Sequence, residues 1–263
     1  MPSSFPEICQ RLSRNDPLLT LVQLCHLDIG NRELRKLAQA LQNNTQLVSL
    51  SLLDNHISDL RPLLDVLQHS NCRLKLRTLN LSRNPLGSIG ACELAQSMLS
   101  SQTSLNLQVL LLQDCDIGVA GARSLAEALR HNTSLTALHL QGNLDIGVSG
   151  MEYFCECLRH HNRTLQMVHL QNCCDDDESK GGGVNRTRNQ PQELDLYLGL
   201  NRYAGRQHWG NEIPRGQWPR ILAKLQNAST AKDNTALSLT MTYVTLQAQP
   251  HVLLTKRKPT PSS

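Results

Sequence analysis

Leu76-Arg-Thr-Leu79-Asn-Leu81-Ser-Arg-Asn84 and Leu107-Gln-Val-Leu110-Leu-Leu112-Gln-Asp-Cys115 are one phrase written twice, Leu-x-x-Leu-x-Leu-x-x-Asn/Cys. It recurs as Leu47-x-x-Leu50-x-Leu52-x-x-Asn55 and Leu135-x-x-Leu138-x-Leu140-x-x-Asn143. Looser copies begin at Leu19, with Leu27 in the ninth place, at Leu165, with Cys173 there, and at Glu193, with Asn201 there. The copies start at residues 19, 47, 76, 107, 135, 165 and 193, so the steps are 28, 29, 31, 28, 30 and 28. A period of that size marks an array of supersecondary units that bury their faces on one another. The even spacing across 165 to 193 brings in the seventh copy.

The fourth and sixth places of each copy point the same way if the phrase is a strand, because side chains alternate with a period of two. After the Asn/Cys the apolar residues change to a helical spacing, as in Leu37-Ala38-x-Ala40-Leu41 and Leu125-Ala126-x-Ala128-Leu129. Each unit therefore reads as strand, turn, helix and return turn. Gly90, Gly121 and Gly150 fall where the chain enters its helix and are expected to serve a tight or positive-φ turn there. The ninth-place amide is expected to satisfy loop backbone groups that would otherwise be buried without partners, with cysteine as a weaker substitute. Asn43, Asn132 and Asn162 stand in Asn-x-Ser/Thr sequons at the return turns, which reads as turn chemistry.

With Asn and Cys alternating at Asn84, Cys115, Asn143, Cys173 and Asn201, the chain resembles leucine-rich repeat proteins of the ribonuclease-inhibitor type over about residues 5 to 205. The resemblance implies an α/β horseshoe, a solenoid with a parallel β-sheet on the concave face and helices on the convex face. Residues 1–18 read as an N-terminal capping helix and 19–205 as the repeats, with an acidic, glycine-rich insert at 174–192 expected to be disordered. Residues 206–254 read as a C-terminal helical cap and 255–263 as a disordered basic tail. The string Tyr197 to Arg206, with Trp218-Pro and the Leu237 to Leu254 segment, resembles the closing region of algal leucine-rich repeat proteins.

The chain has 263 residues, a formal net charge of +4 and only 3% aromatic residues, which leaves little material for a stacking platform or an aromatic ligand pocket. Its odd cysteine count, nine, suits free thiols better than a disulfide framework. The N-terminal residues lack a basic segment followed by an apolar run, and no apolar stretch approaches about 18 residues, so a soluble cytoplasmic chain is expected. Lys256-Arg257-Lys258 also fits a nuclear import signal.

Nothing in the sequence matches a nucleophile elbow, a phosphate-binding glycine loop or paired zinc ligands, so we expect no catalysis, no cofactor and no metal. His139 and His169 hold equivalent places in consecutive units, roughly 5 Å apart if strands pair, but Gln141 and Gln171 beside them are poor further ligands. The places between the leucines are free of core duty. They give a candidate protein-binding surface at Ser51, Leu53, Asn80, Ser82, Val109, Leu111, Gln113, His139, Gln141, Met167, His169, Gln171 and Tyr197. Its mixture of short polar and apolar residues suits a protein partner; nucleic acid would ask for Lys and Arg, and nothing points to a membrane. Arg83 and Asp114, one place later, offer rim charges. The expected function is a monomeric scaffold or sensor binding a protein on the concave face. The alternatives are a small-GTPase regulator, by resemblance to Ran GTPase activators, and a ubiquitin-ligase substrate receptor, for whose adaptor domain residues 1–18 are too short.

Overall fold

The computed structural model describes residues 4–68, 73–99 and 106–173, together with Leu194, Tyr197, Leu198 and Asn201. Six strands, β1 (Leu21–Gln23), β2 (Ser49–Ser51), β3 (Thr78–Asn80), β4 (Val109–Leu111), β5 (Ala137–His139) and β6 (Met167–His169), form one parallel sheet in chain order. Between them run α2 (Asn31–Leu41), α3 (Arg61–Gln68), α4 (Gly87–Leu99), α5 (Val119–Leu129) and α6 (Gly147–His160), while α1 (Phe5–Ser13) precedes β1 and packs on α2. Parallel strands need such crossovers, and helices there cover one face of the sheet.

The leucine phrase maps onto this frame without slippage. Register pairs Leu50 with Leu79, Leu79 with Leu110 and Leu110 with Leu138, so steps of 28 to 31 residues are absorbed outside the strands. Fourth-place residues from Val22 to Val168 are at most 3% exposed, and sixth-place Leu24, Leu52, Leu81, Leu112, Leu140 and Leu170 are fully buried. At about 1.5 to 3 kcal/mol for each side chain removed from water, this double leucine column is the main cohesive force. Leu37, Ala38 and Leu41, like Leu125, Ala126 and Leu129, turn the matching helix faces onto it.

Beyond the three-residue strands β1 to β5 the backbone still bonds to the next unit, and at the eighth place of each of the six units it turns left-handed. His26, Asp54, Arg83, Asp114, Gly142 and Asn172 have φ of 56, 55, 57, 50, 77 and 55°. Asp, Asn and Gly tolerate that region well, whereas Arg83 is held there by its surroundings. The chain then turns inward, and the ninth side chain takes up the loop. Asn143 Oδ1 accepts the N–H groups of Cys115 and Ile117 at 2.9 and 3.0 Å, and its Nδ2 donates to the carbonyls of Leu112 and Leu140 at 2.8 and 2.7 Å. Asn84 and Asn55, two and three units earlier, likewise reach into the preceding unit: Asn55 Oδ1 accepts the Leu27 and Ile29 N–H groups and Asn84 Oδ1 that of Ile57, while both amides donate to the carbonyls of the sixth places on either side. Cys115 and Cys173 keep only the donor half: their thiols point at Leu81 and Leu140 carbonyls, 3.3 and 3.1 Å away.

A second asparagine series closes each return turn. Asn44, Asn132 and Asn162 accept the N–H groups two and three residues ahead, at 3.0 and 2.8 Å in each case. Asn44 and Asn162 also donate to the last carbonyls of the preceding helices, at Leu12 and Leu129. Turn chemistry therefore accounts for Asn132 and Asn162, while in the earlier turn Asn44 does the work instead of Asn43.

Two expectations are corrected. Gly90, Gly121 and Gly150 lie inside α4, α5 and α6, not in turns. A Cβ on Gly121 would come within 2.8 Å of Ile117 Cγ2 and 3.0 Å of Ala91 Cβ, and one on Gly150 within 2.5 Å of Ile146 Cγ2. These glycines permit close helix packing; φ is positive instead at Gly87, Gly142 and Gly147. The seventh copy is not a strand where it is described: Leu194, Tyr197, Leu198 and Asn201 are helical. They are 0, 4, 4 and 4% exposed, and their spacing of i, i+3, i+4 and i+7 is one face of a helix. Asn201 Nδ2 donates to the carbonyls of Asn162 and Leu165, so this face seals the end of the sixth unit. The insert at 174–192, the segment 206–254, its algal-type closing string and the tail 255–263 lie outside the described residues.

Asn143→Ala would strand four buried backbone groups, so denaturant unfolding should show a loss of at least about 3 kcal/mol, against about 1 kcal/mol for Cys115→Ala. Burial pushes the Cys115 and Cys157 thiols up to about 12, which keeps them protonated and unreactive at neutral pH. Peptide mapping after native thiol alkylation should therefore find label on the half-exposed Cys25 and Cys92, and on Cys115, Cys155, Cys157 and Cys173 only after denaturation.

Candidate functional site

Helices cover one face of the sheet, and the other is open. On it the strand residues that flank each buried centre are half-exposed, apart from the exposed Leu21 and Gln23 of the edge strand. Because register is strict, they form columns. The third-place column runs Ser49, Thr78, Val109, Ala137, Met167, and the fifth-place column Ser51, Asn80, Leu111, His139, His169. The seventh place adds Leu53, Ser82, Gln113, Gln141 and Gln171, and the left-handed eighth place forms a rim.

The two halves of this face differ. In the first three units the polar groups are spent on one another: Ser51 Oγ lies 3.3 Å from Cys25 Sγ, and Asn80 Oδ1 accepts the Ser82 N–H at 3.0 Å. Ser82 itself is only 1% exposed, with its Oγ accepting the Gln113 N–H at 3.1 Å, so it leaves the set of contact residues and becomes part of the scaffold. In units four to six the face carries Val109, Leu111 and Met167 beside His139, His169 and three glutamines, all half-exposed. There three columns run side by side: Val109, Ala137 and Met167; Leu111, His139 and His169; and Gln113, Gln141 and Gln171.

His139 and His169 are register partners with ring centroids 4.6 Å apart in an edge-to-face arrangement. Burial, and then the His169 imidazole, hold His139 below the usual imidazole range. Gln141 Nε2 lies 2.9 Å from His169 Nδ1, which fixes that ring, while Gln141 Oε1 is buried without a hydrogen-bond partner among the described residues. A buried acceptor left open beside an exposed apolar column is a feature a bound donor would complete.

Tyr197 does not belong to this face. It is 4% exposed, and its hydroxyl accepts from Arg159 Nε of α6 at 3.0 Å, with the Arg159 guanidinium 5.9 Å from the ring centre. The helical period that seals the sixth unit carries it to the helix layer.

The rim carries charge at the eighth place: His26 Nδ1 lies 2.6 Å from Asp54 Oδ2, and Arg83 Nε 3.7 Å from Asp114 Oδ2. Both pairs are largely exposed and worth about 1 kcal/mol or less, so they orient more than they bind. His26 and Asp54 were not singled out by sequence; the recurrence of Asp, Asn and Gly directly before the ninth place was the available signal. Exposed aliphatics at the helix entrances, Ile89, Val119, Leu144 and Val148, were missed too, since helical spacing alone does not say which apolar residues face outward. Among the described residues no three His, Cys, Asp or Glu side chains converge as metal ligands, and no helix is long and apolar enough to cross a membrane.

A family model described as leucine-rich repeat matches residues 74–95, 103–126 and 131–155. The chain is 31% identical to the ribonuclease inhibitor of Sus scrofa over 169 residues, which is 54% of this chain and 37% of that protein. It is 29% identical over 164 residues to NACHT, LRR and PYD domains-containing protein 12 of Homo sapiens, covering 52% of this chain and 15% of the relative. The chain thus spans about a third of the first relative's length and less of the second's. Among solved structures, leiomodin-1 actin-binding site 2 superposes with a TM-score of 0.44 at 19% identity, over 87% of this chain and 100% of the other. Repeat phrase, sheet and buried ninth-place side chains make the chain a leucine-rich repeat solenoid, whose repeats are similar to those of ribonuclease inhibitor.

Proposed function

We propose that this chain is a non-catalytic protein-binding module, a scaffold or sensor, that takes its partner on the open, concave face of units four to six. One observation carries the reading: there, and not in units one to three, half-exposed Val109, Ala137 and Met167 line up across three strands, with Leu111 beside them and a neighbouring amide oxygen, Gln141 Oε1, still without a partner among the described residues. A protein interface needs such a mixture, an apolar centre that excludes water and flanking amides that fix register. Arg83 and Asp114 at the rim mark one end of the patch. The absence of Lys and Arg from its centre is unsuited to a phosphate backbone. Similarity to ribonuclease inhibitor, a protein named for what it binds, agrees with a binding role while leaving the partner of this chain to its own variable residues.

The reading is tested by Leu111→Glu with Met167→Glu, a pair of half-exposed sites whose replacement leaves the leucine column untouched. Charge at the centre of an apolar patch typically costs more than 2 kcal/mol, or about 30-fold in affinity. Affinity capture followed by mass spectrometry should lose at least one protein retained by the wild type, with circular dichroism unchanged. An unaltered set of captured proteins would refute the concave-face assignment.

A further inference from the structure

We propose that the His139 and His169 pair makes binding on this face acid-sensitive, so that the partner is held while both imidazoles are neutral and released when either gains a proton. The inference rests on the concave-face reading above and adds its regulation.

The geometry places two titratable rings in register on adjacent strands, 4.6 Å apart, within the patch expected to be dehydrated by a partner. What surrounds them decides the sign. From β4 the neighbours are Leu111 and Gln113, uncharged; from β5 and β6 they are Gln141, Met167 and Gln171, also uncharged. Beneath the strands lie Leu138, Leu140, Val168 and Leu170, all in the core. The nearest rim positions of the same units, Gly142 and Asn172, carry no charge; Asp114 of the preceding unit holds its Oδ1 against Gly142 and its Oδ2 3.7 Å from Arg83 Nε, out on the rim. Among the described residues no carboxylate faces either ring. A proton on one imidazole is therefore an uncompensated charge, and its first neighbour is the other imidazole.

The contrast with the other end of the sheet is direct. His26 and His56 each stand beside a carboxylate, Asp54 at 2.6 Å and Asp28 at 3.2 Å. Gln141 adds a local contact, its amide nitrogen lying 2.9 Å from His169 Nδ1, so that a proton on that nitrogen requires the amide to turn. The depressed protonation of His139 runs in the same direction, since burial already opposes its charge before a partner removes more water.

The sign follows from linkage. A partner that covers the pair with an uncharged, apolar surface, the kind that Leu111 and Met167 beside it fit, opposes a charge on either ring, so lowering the pH weakens its binding. His139→Gln with His169→Gln keeps polar, half-exposed side chains and removes the titration.

The test captures proteins on the 263-residue chain at about pH 7.5 and washes at about pH 5, well below the ordinary imidazole value so that the depressed His139 also takes up a proton. Partners whose capture is abolished by Leu111→Glu with Met167→Glu define the concave-dependent set. The expected result is that about tenfold less of this set survives the acid wash on wild type, while the double glutamine variant retains it at both pH values. Equal retention on wild type at both pH values, or equal acid loss from the glutamine variant, overturns the regulation while the concave site stands. If no captured protein depends on Leu111 and Met167, the binding site itself fails, and the regulation with it.

Discussion

The structure depends on one contact that each unit makes with the unit before it: the ninth side chain of the phrase, buried, serving backbone groups on both sides of the boundary. Asn143 is 0% exposed and bonds to Leu112, Cys115 and Ile117 of the fourth unit as well as to Leu140 of its own. A loop buried this deeply would otherwise leave several peptide groups unpaired, at about 1 to 3 kcal/mol each. The leucine columns supply cohesion, but apolar contacts are tolerant of sliding. Directional amide bonds, repeated at Asn55, Asn84 and Asn143, fix how far one unit lies from the next and at what height.

That constraint shapes the open face. Each strand offers three residues, of which the centre is buried. No single unit presents enough surface to bind a protein. Recognition has to be assembled across strands, and register makes this possible by aligning Val109 with Ala137 and Met167, and Leu111 with His139 and His169. A mutation in the asparagine series would therefore act on binding without touching the partner, by disturbing the alignment of columns. The rim pairs and the histidine pair sit on top of this alignment and inherit it.

Much of this was legible in the leucine spacing. Period two in the phrase and a helical period after it gave the unit, and the polar hook at the ninth place followed from the need to satisfy a buried loop. Other features were hidden for physical reasons. The helical glycines were misassigned because a sequence does not show whether glycine is chosen for φ or for the absence of a Cβ; Gly121 and Gly150 are the second case, set against Ala91 and Ala122. The seventh copy failed because Leu194, Tyr197, Leu198 and Asn201 satisfy a helix at least as well as Leu196, Leu198 and Asn201 satisfy the phrase, and only packing decides between periods. Tyr197 was lost to the site for that reason. Ser82 was lost because a seventh-place serine is short enough to bond the next strand, whereas Gln113, Gln141 and Gln171 are too long to be buried there.

The most direct measurement is photocrosslinking in the native cell with a benzophenone amino acid at Gln113 or Gln171 on the open face, compared with Glu152 on the exposed surface of α6. The concave-face account predicts that the two open-face positions crosslink a common protein and that Glu152 does not. Crosslinking of the same protein from Glu152 alone would contradict it.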